Sequence, residues 1–311
     1  MNYDLVSPRD YIGKFLVKVG YKYDSLVVID SDLASSVRTD EFAETFPDRF
    51  FEMGIAEQSA MSVAGGLAIE NFIPFYVNFS IFITGTAWTQ LRQICYSGLN
   101  VKLIGTHPGL DNGPDGATHH STADIALARA IPNLVILTPS DIYEVNAAIE
   151  EAIKIKGPVY IRVARGDVPI LHEEECSFDI GKAELIFNDG DDLAIIFEGS
   201  AAKQALEGYL ELNKLGYRCK LINMRSINPL DMSIIKEIAH NVKGIITVEN
   251  HSIYGGLAGA ISEVISQLEV RPVLKAVGLK HTFTESGNAD QLKKKYGLSA
   301  EEIVSRAKNV I

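Results

Sequence analysis

The feature that most constrains the fold is an alternation of short apolar runs with longer segments of helical periodicity. Five runs of strand length lie in the first half of the chain: Leu26–Ile29, Ile73–Val77, Val101–Ile104, Leu134–Leu137 and Val159–Val163. The segments between them that predict helices are Ala56–Glu70, Phe82–Ser97, Thr122–Ala130 and Asp141–Lys156. Continuous apolar strands that alternate with helices are typical of a parallel sheet covered on both faces. This half therefore predicts an α/β domain.

A second alternation follows a polar, acidic stretch at residues 172–177. Its predicted strands and helices are Asp192–Phe197, Ala201–Leu215, Cys219–Asn223, Ser233–Ala239, Gly244–Val248, Leu257–Leu268, Pro272–Val277 and Ala300–Lys308. The fold class that we expect is α/β, with two consecutive domains that are each a mainly parallel sheet covered by helices. The predicted boundaries are residues 1–175 and 185–311.

Charge and composition exclude several classes of function. The net charge of −11 would repel nucleic acid and anionic membranes, so we expect neither as a partner. No apolar stretch approaches the roughly 20 residues of a membrane span, and no secretory signal begins the sequence. Three widely spaced cysteines do not form a disulfide framework and fit a reducing compartment. We therefore expect a cytoplasmic protein.

Several polar and aromatic residues lie next to the predicted strands. Glu57 falls in the first turn of the helix Ala56–Glu70, where an acid also favours the positive end of the helix dipole. Phe79 and Phe82 could pack in the core or stack on a flat heterocycle. Arg162 and Arg165 fall on opposite faces of a regular strand. Arg165 could bind a phosphate through two hydrogen bonds, and an ion pair with Asp167 or another acid is the alternative.

The loop at residues 106–120 carries three histidines and two aspartates among glycines. It follows the strand Val101–Ile104, and parallel sheets bind ligands at the carboxyl ends of their strands. Its spacing matches no compact zinc motif, and no cysteine is nearby. Catalytic or substrate-binding groups are the favoured interpretation, with structural hydrogen bonds and a metal site as alternatives. Residues 248–257 could form an anion site at a helix terminus, although a packed turn is the favoured interpretation.

Taken together and in this order, these segments resemble the thiamine-diphosphate-dependent transketolase family, over its pyrimidine-binding and C-terminal domains. Gly54-Ile55-Ala56-Glu57-Gln58 is similar to the family motif whose glutamate bonds the aminopyrimidine ring of the cofactor. The resemblance implies thiamine diphosphate as the cofactor and Glu57 as the catalytic group that activates it. It also implies that the residues Ile55, Phe79 and Phe82 bind the cofactor.

The same resemblance implies a sugar phosphate as the substrate. His107 and His119 would be catalytic, binding substrate oxygens and moving protons, because imidazole titrates near neutral pH. Asp115 would bind the hydroxyl next to the aldehyde. The residues expected to hold the distal phosphate are Arg9, Ser36 and Arg165. The implied function is transfer of a two-carbon ketol unit between sugar phosphates of the pentose phosphate pathway.

The family's other half carries a Gly-Asp-Gly sequence and a later asparagine that hold the metal and the diphosphate. Here the nearest similar sequence, Asp189-Gly190-Asp191, lies on a predicted turn. The resemblance therefore implies that this chain holds no metal and is half of a split transketolase. A separate N-terminal subunit would supply Mg²⁺ (or Ca²⁺) and the diphosphate site, in a heterotetramer with two copies of each chain.

Other members of the family remain as alternatives. Deoxyxylulose phosphate synthase shares the Ala-Glu-Gln form of the glutamate motif but has an arginine at the place of His107. The beta subunits of 2-oxo-acid dehydrogenases lack the pairing of Asp115 with His119. A non-catalytic regulatory paralogue is a third alternative. Gln58 and Pro114 depart from the residues of many transketolases, and they leave the sugar open.

Overall fold

The computed structural model describes residues 3–310 as two α/β units, each built on a mainly parallel sheet. The strands are β1 (Leu5–Val6), β2 (Leu26–Asp30), β3 (Phe50–Glu52), β4 (Ile73–Phe79), β5 (Lys102–Thr106), β6 (Val135–Leu137), β7 (Val159–Val163), β8 (Val168–Pro169), β9 (Glu184–Asn188), β10 (Leu193–Phe197), β11 (Cys219–Asn223), β12 (Ser226–Asn228), β13 (Gly244–Ser252) and β14 (Val273–Leu279). The helices are α1 (Ile12–Gly20), α2 (Ala34–Val37), α3 (Asp40–Thr45), α4 (Glu57–Ile69), α5 (Trp88–Ser97), α6 (Asp124–Arg129), α7 (Ile142–Lys154), α8 (Ala202–Lys214), α9 (Met232–Asn241), α10 (Leu257–Ile265), α11 (Ala289–Lys295) and α12 (Ala300–Lys308).

The larger sheet of residues 3–310 has seven strands in the order β12–β6–β7–β5–β4–β2–β3. Its neighbours are parallel apart from the edge pair β12 and β6. The central strands are apolar on both faces because helices cover both sides of the sheet. The predicted α/β fold class is confirmed.

The second sheet has the order β14–β13–β10–β11–β9 in the described chain. Strand β9 is antiparallel to β11, and the other pairs are parallel. The two units share one apolar cluster, in which Ile29 and Tyr76 of the first unit lie with Ile196 and Ile245 of the second. The second unit is therefore packed firmly against the first.

Strand β12 links the two units through backbone hydrogen bonds. It follows β11 of the second sheet but pairs with β6 of the first, where Ser226 lies opposite Leu137. The alternation of apolar runs does not predict this strand, because Ser226-Ile227-Asn228 has one apolar residue. It also does not predict α1, α2, α3 and β3, of which α2 and β3 have four and three residues.

A buried ion network also crosses between the units. Arg162 on β7 is fully buried, and its Nε lies 2.6 Å from Oδ2 of Asp124. Its Nη1 lies 2.9 Å from Oε2 of Glu198, which follows β10. Because removal of one partner would leave a buried charge unpaired, this network holds the two units in one arrangement. No helix of residues 3–310 is both long and apolar enough to span a membrane.

Candidate active site at the carboxyl edge of the larger sheet

The residues predicted to carry chemistry follow the carboxyl ends of five neighbouring strands. Arg165 follows β7, His107 follows β5, Phe79 ends β4, Ser36 follows β2 and Glu57 follows β3. The five strands are parallel and adjacent, so their carboxyl ends meet along one edge of the sheet. This edge is where open α/β sheets bind ligands.

Glu57 is the first residue of α4 and is partly exposed. Within residues 3–310 its carboxylate makes no hydrogen bond or ion pair. Glu57 lies near enough to the buried Tyr76 for its charge to raise the pKa of the phenol, although burial is the larger cause. Ile55, just before the helix, is 80% exposed. This part of the site is therefore an open surface in the single chain.

A polar network supports the sheet edge beside Glu57. The Tyr76 hydroxyl accepts a hydrogen bond from Nδ2 of Asn78 at 2.8 Å and lies 3.1 Å from Oγ of Ser31. Asp30 is buried next to them and accepts hydrogen bonds from Thr39 and from the backbone of Leu33. Burial raises the pKa of Asp30 to about 6, against the lowering effect of these hydrogen bonds. The sequence pattern does not single out this network, because it lies inside a strand and its turn.

The two predicted phenylalanines and the two predicted histidines lie together. The rings of Phe79 and Phe82 stack with centroids 5.8 Å apart. The imidazole of His107 lies 3.9 Å from the Phe79 ring, and that of His119 meets the edge of Phe82 at 5.5 Å. Phe79 is buried, whereas Phe82 and His119 are partly exposed. Phe82 and His119 therefore face the open side of the cluster.

His107 differs from the expectation that it titrates near neutral pH. Burial and the nearby charges of Arg165 and Arg9 lower its pKa to about 3, so the imidazole is neutral at working pH. Its Nδ1 lies 2.8 Å from Oγ1 of Thr106. Its backbone is in the left-handed region at φ +57°, which is costly for a side chain of this size. His107 is a rigidly held, neutral hydrogen-bonding group.

Of the three residues predicted to bind a phosphate, Arg9 and Arg165 lie near His107, and Ser36 lies next to Arg9. Nη1 of Arg9 donates to the carbonyl of Ser36 at 3.0 Å, and the backbone of Arg9 donates to the carbonyl of Ala164 at 3.2 Å. The positive charge of Arg165 is close enough to lower the pKa of Arg9, after the larger effect of burial. Nε of Arg9 is buried and has no partner within residues 3–310. We call Arg9, Ser36 and Arg165 together the cationic pocket.

Within residues 3–310, the side chain of Arg165 forms no ion pair with Asp167 or another acid, which was the alternative interpretation. Its Nη1 donates to the carbonyl of Asp111 at 2.9 Å, and its backbone N–H donates to the Asp111 carboxylate at 3.0 Å. Asp111 is itself paired with Lys293 of α11 at 2.7 Å. Asp111 and Lys293 are thus positioning residues that sequence reasoning missed, and the partner from α11 is too distant in sequence to be recognised.

The loop at residues 106–120 divides into supporting and open side chains. His120 is buried, with Nδ1 2.5 Å from Oγ1 of Thr284 and Nε2 3.2 Å from the carbonyl of Gly113. Asp115 is exposed and His119 partly exposed. His120 therefore supports the structure of the loop. Asp115 and His119 remain predicted to bind the substrate.

Within residues 3–310, the group of three side chains close enough together to hold one metal ion lies outside this loop. The group close enough to hold an ion is Glu144, His172 and Glu184, between the two units. Nη1 of Arg225 lies 3.3 Å from Glu144 and 3.2 Å from Glu184, so the carboxylates are already neutralised. This group is a salt-bridge network.

Two further motifs of the sequence have structural partners. Asp189, in the Asp-Gly-Asp turn, accepts hydrogen bonds from Tyr209 and from Nδ2 of Asn213. At the start of α10, the backbone N–H groups of Leu257 and Ala258 donate to the buried carboxylate of Glu249. The chain's own glutamate occupies the helix terminus, as the packed-turn interpretation expects.

Both halves of the chain are similar to domains of known proteins. A model of the transketolase pyrimidine-binding domain matches residues 5–170, and a model of the transketolase C-terminal domain matches residues 181–303. The chain belongs to the transketolase family. It is 42% identical over 301 residues to the "Putative transketolase C-terminal section" of Methanocaldococcus jannaschii, covering 96% of this chain and 94% of that one.

Other relatives in the transketolase family have different names. The 6-deoxy-6-sulfo-D-fructose transketolase subunit SqwH of a Clostridium species is 33% identical, over 97% of this chain and 94% of that protein. A 1-deoxy-D-xylulose-5-phosphate synthase from Caldanaerobacter subterraneus is also 33% identical, but this chain covers 48% of it. Among solved structures, a split gene transketolase described as an inactive beta4 tetramer has a TM-score of 0.90 and 37% identity, with 98% of each chain covered.

Proposed function

We propose that this chain is the cytoplasmic subunit of a split transketolase that works with a separate N-terminal subunit, as two copies of each. The reaction is transfer of a two-carbon ketol unit from a ketose phosphate to an aldose phosphate with thiamine diphosphate. The observation that carries the proposal is the meeting of Glu57, the aromatic pair and the cationic pocket at one sheet edge. The relatives named as transketolase sections or subunits support the same assignment.

The residues at this edge fit one end of thiamine diphosphate. Phe82 offers a partly exposed ring next to Phe79, which suits stacking on a flat pyrimidine. The unpaired carboxylate of Glu57 suits a hydrogen bond to a ring nitrogen, and Ile55 offers apolar surface. When bound, the cofactor supplies an electron sink for cleavage of a carbon–carbon bond. The diphosphate and its Mg²⁺ or Ca²⁺ ion are assigned to the partner, because the Asp189 turn is used in structural bonds.

Each remaining residue of the site has a role that suits its surroundings. Glu57 shares a proton with the pyrimidine ring. His107 donates or accepts hydrogen bonds as a neutral group at the substrate oxygens. His119, which is more open, moves protons. Asp115 binds a substrate hydroxyl. The residues that hold the distal phosphate are Arg9, Ser36 and Arg165.

The test is a ketol-transfer assay with xylulose 5-phosphate and ribose 5-phosphate, thiamine diphosphate and Mg²⁺. Three mixtures are measured: the purified chain alone, the purified chain with its N-terminal partner, and the Glu57→Gln variant with the same partner. We expect ketol transfer only in the mixture of the wild-type chain with its N-terminal partner, because half of the cofactor site lies on the other chain.

Transfer by this chain in isolation would overturn the assignment of the diphosphate site to a partner. Absence of transfer with the partner, together with release of carbon dioxide from a 2-oxo acid, would replace transketolase by one of the other family chemistries. Pyruvate and glyceraldehyde 3-phosphate in the same assay test for a deoxyxylulose phosphate synthase.

A further inference from the structure

A third arginine, Arg38, lies beside Arg9 at the edge of the cationic pocket, and the resemblance assigns it no role. Nε of Arg38 lies 3.0 Å from Oδ1 of Asp10, and Nη2 of Arg9 lies 2.7 Å from the same oxygen. One carboxylate oxygen therefore holds two guanidinium groups side by side. The positive charges of Arg38 and Arg165 both lower the pKa of Arg9, after the larger effect of burial. Arg38 and Arg165 thus both lie close to Arg9, whose Nη1 donates to the carbonyl of Ser36.

The backbone at Arg38 is held in a conformation that does not suit an arginine. Its φ is +67°, in the left-handed region, at the C-terminal end of α2. This conformation costs a side chain roughly 1–2 kcal/mol, and glycine adopts it freely. The carbonyl of Arg38 packs so closely on α1 that a Cβ at Gly13 would lie 2.3 Å from it. Strain of this kind concentrates at binding sites, where a side chain is needed in one position.

The charged side chains of this region leave a surplus of positive charge that a doubly charged anion would neutralise. The guanidinium groups of Arg9, Arg38 and Arg165 bring three positive charges, and Asp10 brings one negative charge. Asp111 is nearby, but Lys293 neutralises it at 2.7 Å, and His107 is uncharged. The buried, unpartnered Nε of Arg9 adds a free donor. A phosphate monoester carries a charge of about −1.5 to −2 at pH 7, whereas a sulfonate carries a single negative charge.

We propose that Arg38 is a third cationic binding residue of the substrate's terminal anion, positioned by Asp10, and that it makes the site prefer a phosphate monoester to a sulfonate. The inference rests on the proposed function, since it concerns the anion carried by the transketolase substrate. It is relevant because a relative that is 33% identical is named for a sulfonated sugar.

The experiment compares two donors that differ at carbon 6, fructose 6-phosphate and 6-deoxy-6-sulfofructose. Glycolaldehyde is the acceptor, so that the donor alone brings an anion. With the complex of this chain and its N-terminal partner, we expect Arg38→Gln to lower kcat/KM for the phosphate donor about tenfold or more, because charge-assisted hydrogen bonds have that strength. The value for the sulfonate donor should change less than about threefold, which follows from its lower charge.

Two variants and one control make the result specific. Arg38→Lys keeps the charge and should retain a clear preference for phosphate. Asp10→Asn keeps all three arginines and should raise KM for the phosphate donor about threefold or more, as expected for loss of one hydrogen-bonding anchor. Arg271→Gln removes an exposed arginine that contacts the carbonyl of Leu268, and it should change neither donor. The ratio of the two donors within one preparation is independent of the folded fraction.

An equal loss for both donors, or no loss, in Arg38→Gln would overturn the role of Arg38. The proposed function would survive that result if the wild-type complex transfers ketol units from fructose 6-phosphate. A wild-type complex that transfers from neither donor, nor from xylulose 5-phosphate, would overturn the proposed function and this inference together.

Discussion

At the scale of single residues, Glu57 is the residue whose loss should reduce catalysis most while changing the stability of the fold least. It begins α4, where a carboxylate stabilises the helix by about 0.3–1 kcal/mol, and it has no partner in the described chain. We therefore expect Glu57→Ala to abolish ketol transfer by the complex while changing the free energy of unfolding by less than about 1 kcal/mol. Activity assays and urea unfolding measure the two effects.

Glu70→Ala is the matched control for that change. Glu70 is exposed at the other end of α4, far from the sheet edge, and its loss should leave transfer at the wild-type rate. Turnover near the wild-type value in Glu57→Ala would show that Glu57 serves the helix dipole and not the cofactor.

His172 gives the protein a pH-dependent stability. Its Nδ1 lies 2.8 Å from Asp141 and its Nε2 lies 2.7 Å from Glu184, on the two sides of the join between the units. Burial opposes the charged form, but these carboxylates outweigh it and raise the pKa of His172 to about 10. The folded-state pKa lies above the unfolded value of about 6.5, so the stabilisation is full below pH 6.5 and is lost as the pH rises towards 10.

We therefore expect the free energy of unfolding to fall by roughly 2–5 kcal/mol more in the wild type than in His172→Gln between pH 6.5 and 9.5. Urea unfolding at the two pH values measures this difference. Parallel pH profiles for the two proteins would mean that the imidazole is uncharged in the folded state.

At the scale of elements, a loop of the second unit supports the substrate loop of the first. Thr284 lies 2.5 Å from His120, and the backbone of Gly287 donates to the carbonyl of Gly113 at 3.2 Å. A Cβ at Gly116 would lie 2.4 Å from Oγ of Ser286, so the two loops are in tight contact. The second unit thus determines where the segment that carries Asp115 and His119 lies.

Removal of this support should affect catalysis more than folding. We expect Thr284→Val to lower kcat roughly fivefold, because a hydrogen bond contributes about 1 kcal/mol to holding the loop. Thr282→Val, whose exposed hydroxyl contacts the carbonyl of Phe283, is the matched control and should leave kcat unchanged. Steady-state kinetics of the complex measures both, and equal kcat values would place the loop outside the catalytic machinery.

At the scale of the whole molecule, α4 exposes a stripe that suits contact with another chain. The residues of this stripe are Ser59, Ser62, Val63, Gly66 and Ile69, which are exposed and lie on one face of the helix. Ile69, at the end of α4 away from the sheet edge, is 65% exposed, and exposed apolar side chains on one face indicate contact with another chain. Small side chains allow two backbones to approach closely.

Gly66→Leu tests this contact without disturbing the single chain. A Cβ at Gly66 would meet no atom within 4 Å, and leucine favours a helix over glycine by about 0.8–1 kcal/mol. We expect the variant to fold as stably as the wild type but to fail to assemble with the partner in size-exclusion chromatography. Ser262→Leu, at an exposed position of α10, is the control and should assemble normally. Normal assembly of Gly66→Leu would place the interface elsewhere.

The sequence by itself determined the α/β class and most of the strands, and it led to the proposal that five segments form one site. Buried parallel strands are continuous apolar runs, and ligands lie after their carboxyl ends, so local patterns carry this information. The candidate residues Glu57, Phe79, Phe82 and His107 are each recognisable within their own segment for that reason.

The tertiary structure alone decided the features that depend on residues far apart in sequence. The neutral state of His107 follows from burial near Arg9 and Arg165, and neither cause is visible in its own segment. Strand β12, the Asp111–Lys293 pair and the contact of Thr284 with His120 join segments more than 80 residues apart. Arg38 became a candidate because the fold places it beside Asp10 and Arg9. Charge and burial act through space, so their effects follow the packing of the chain and not its order.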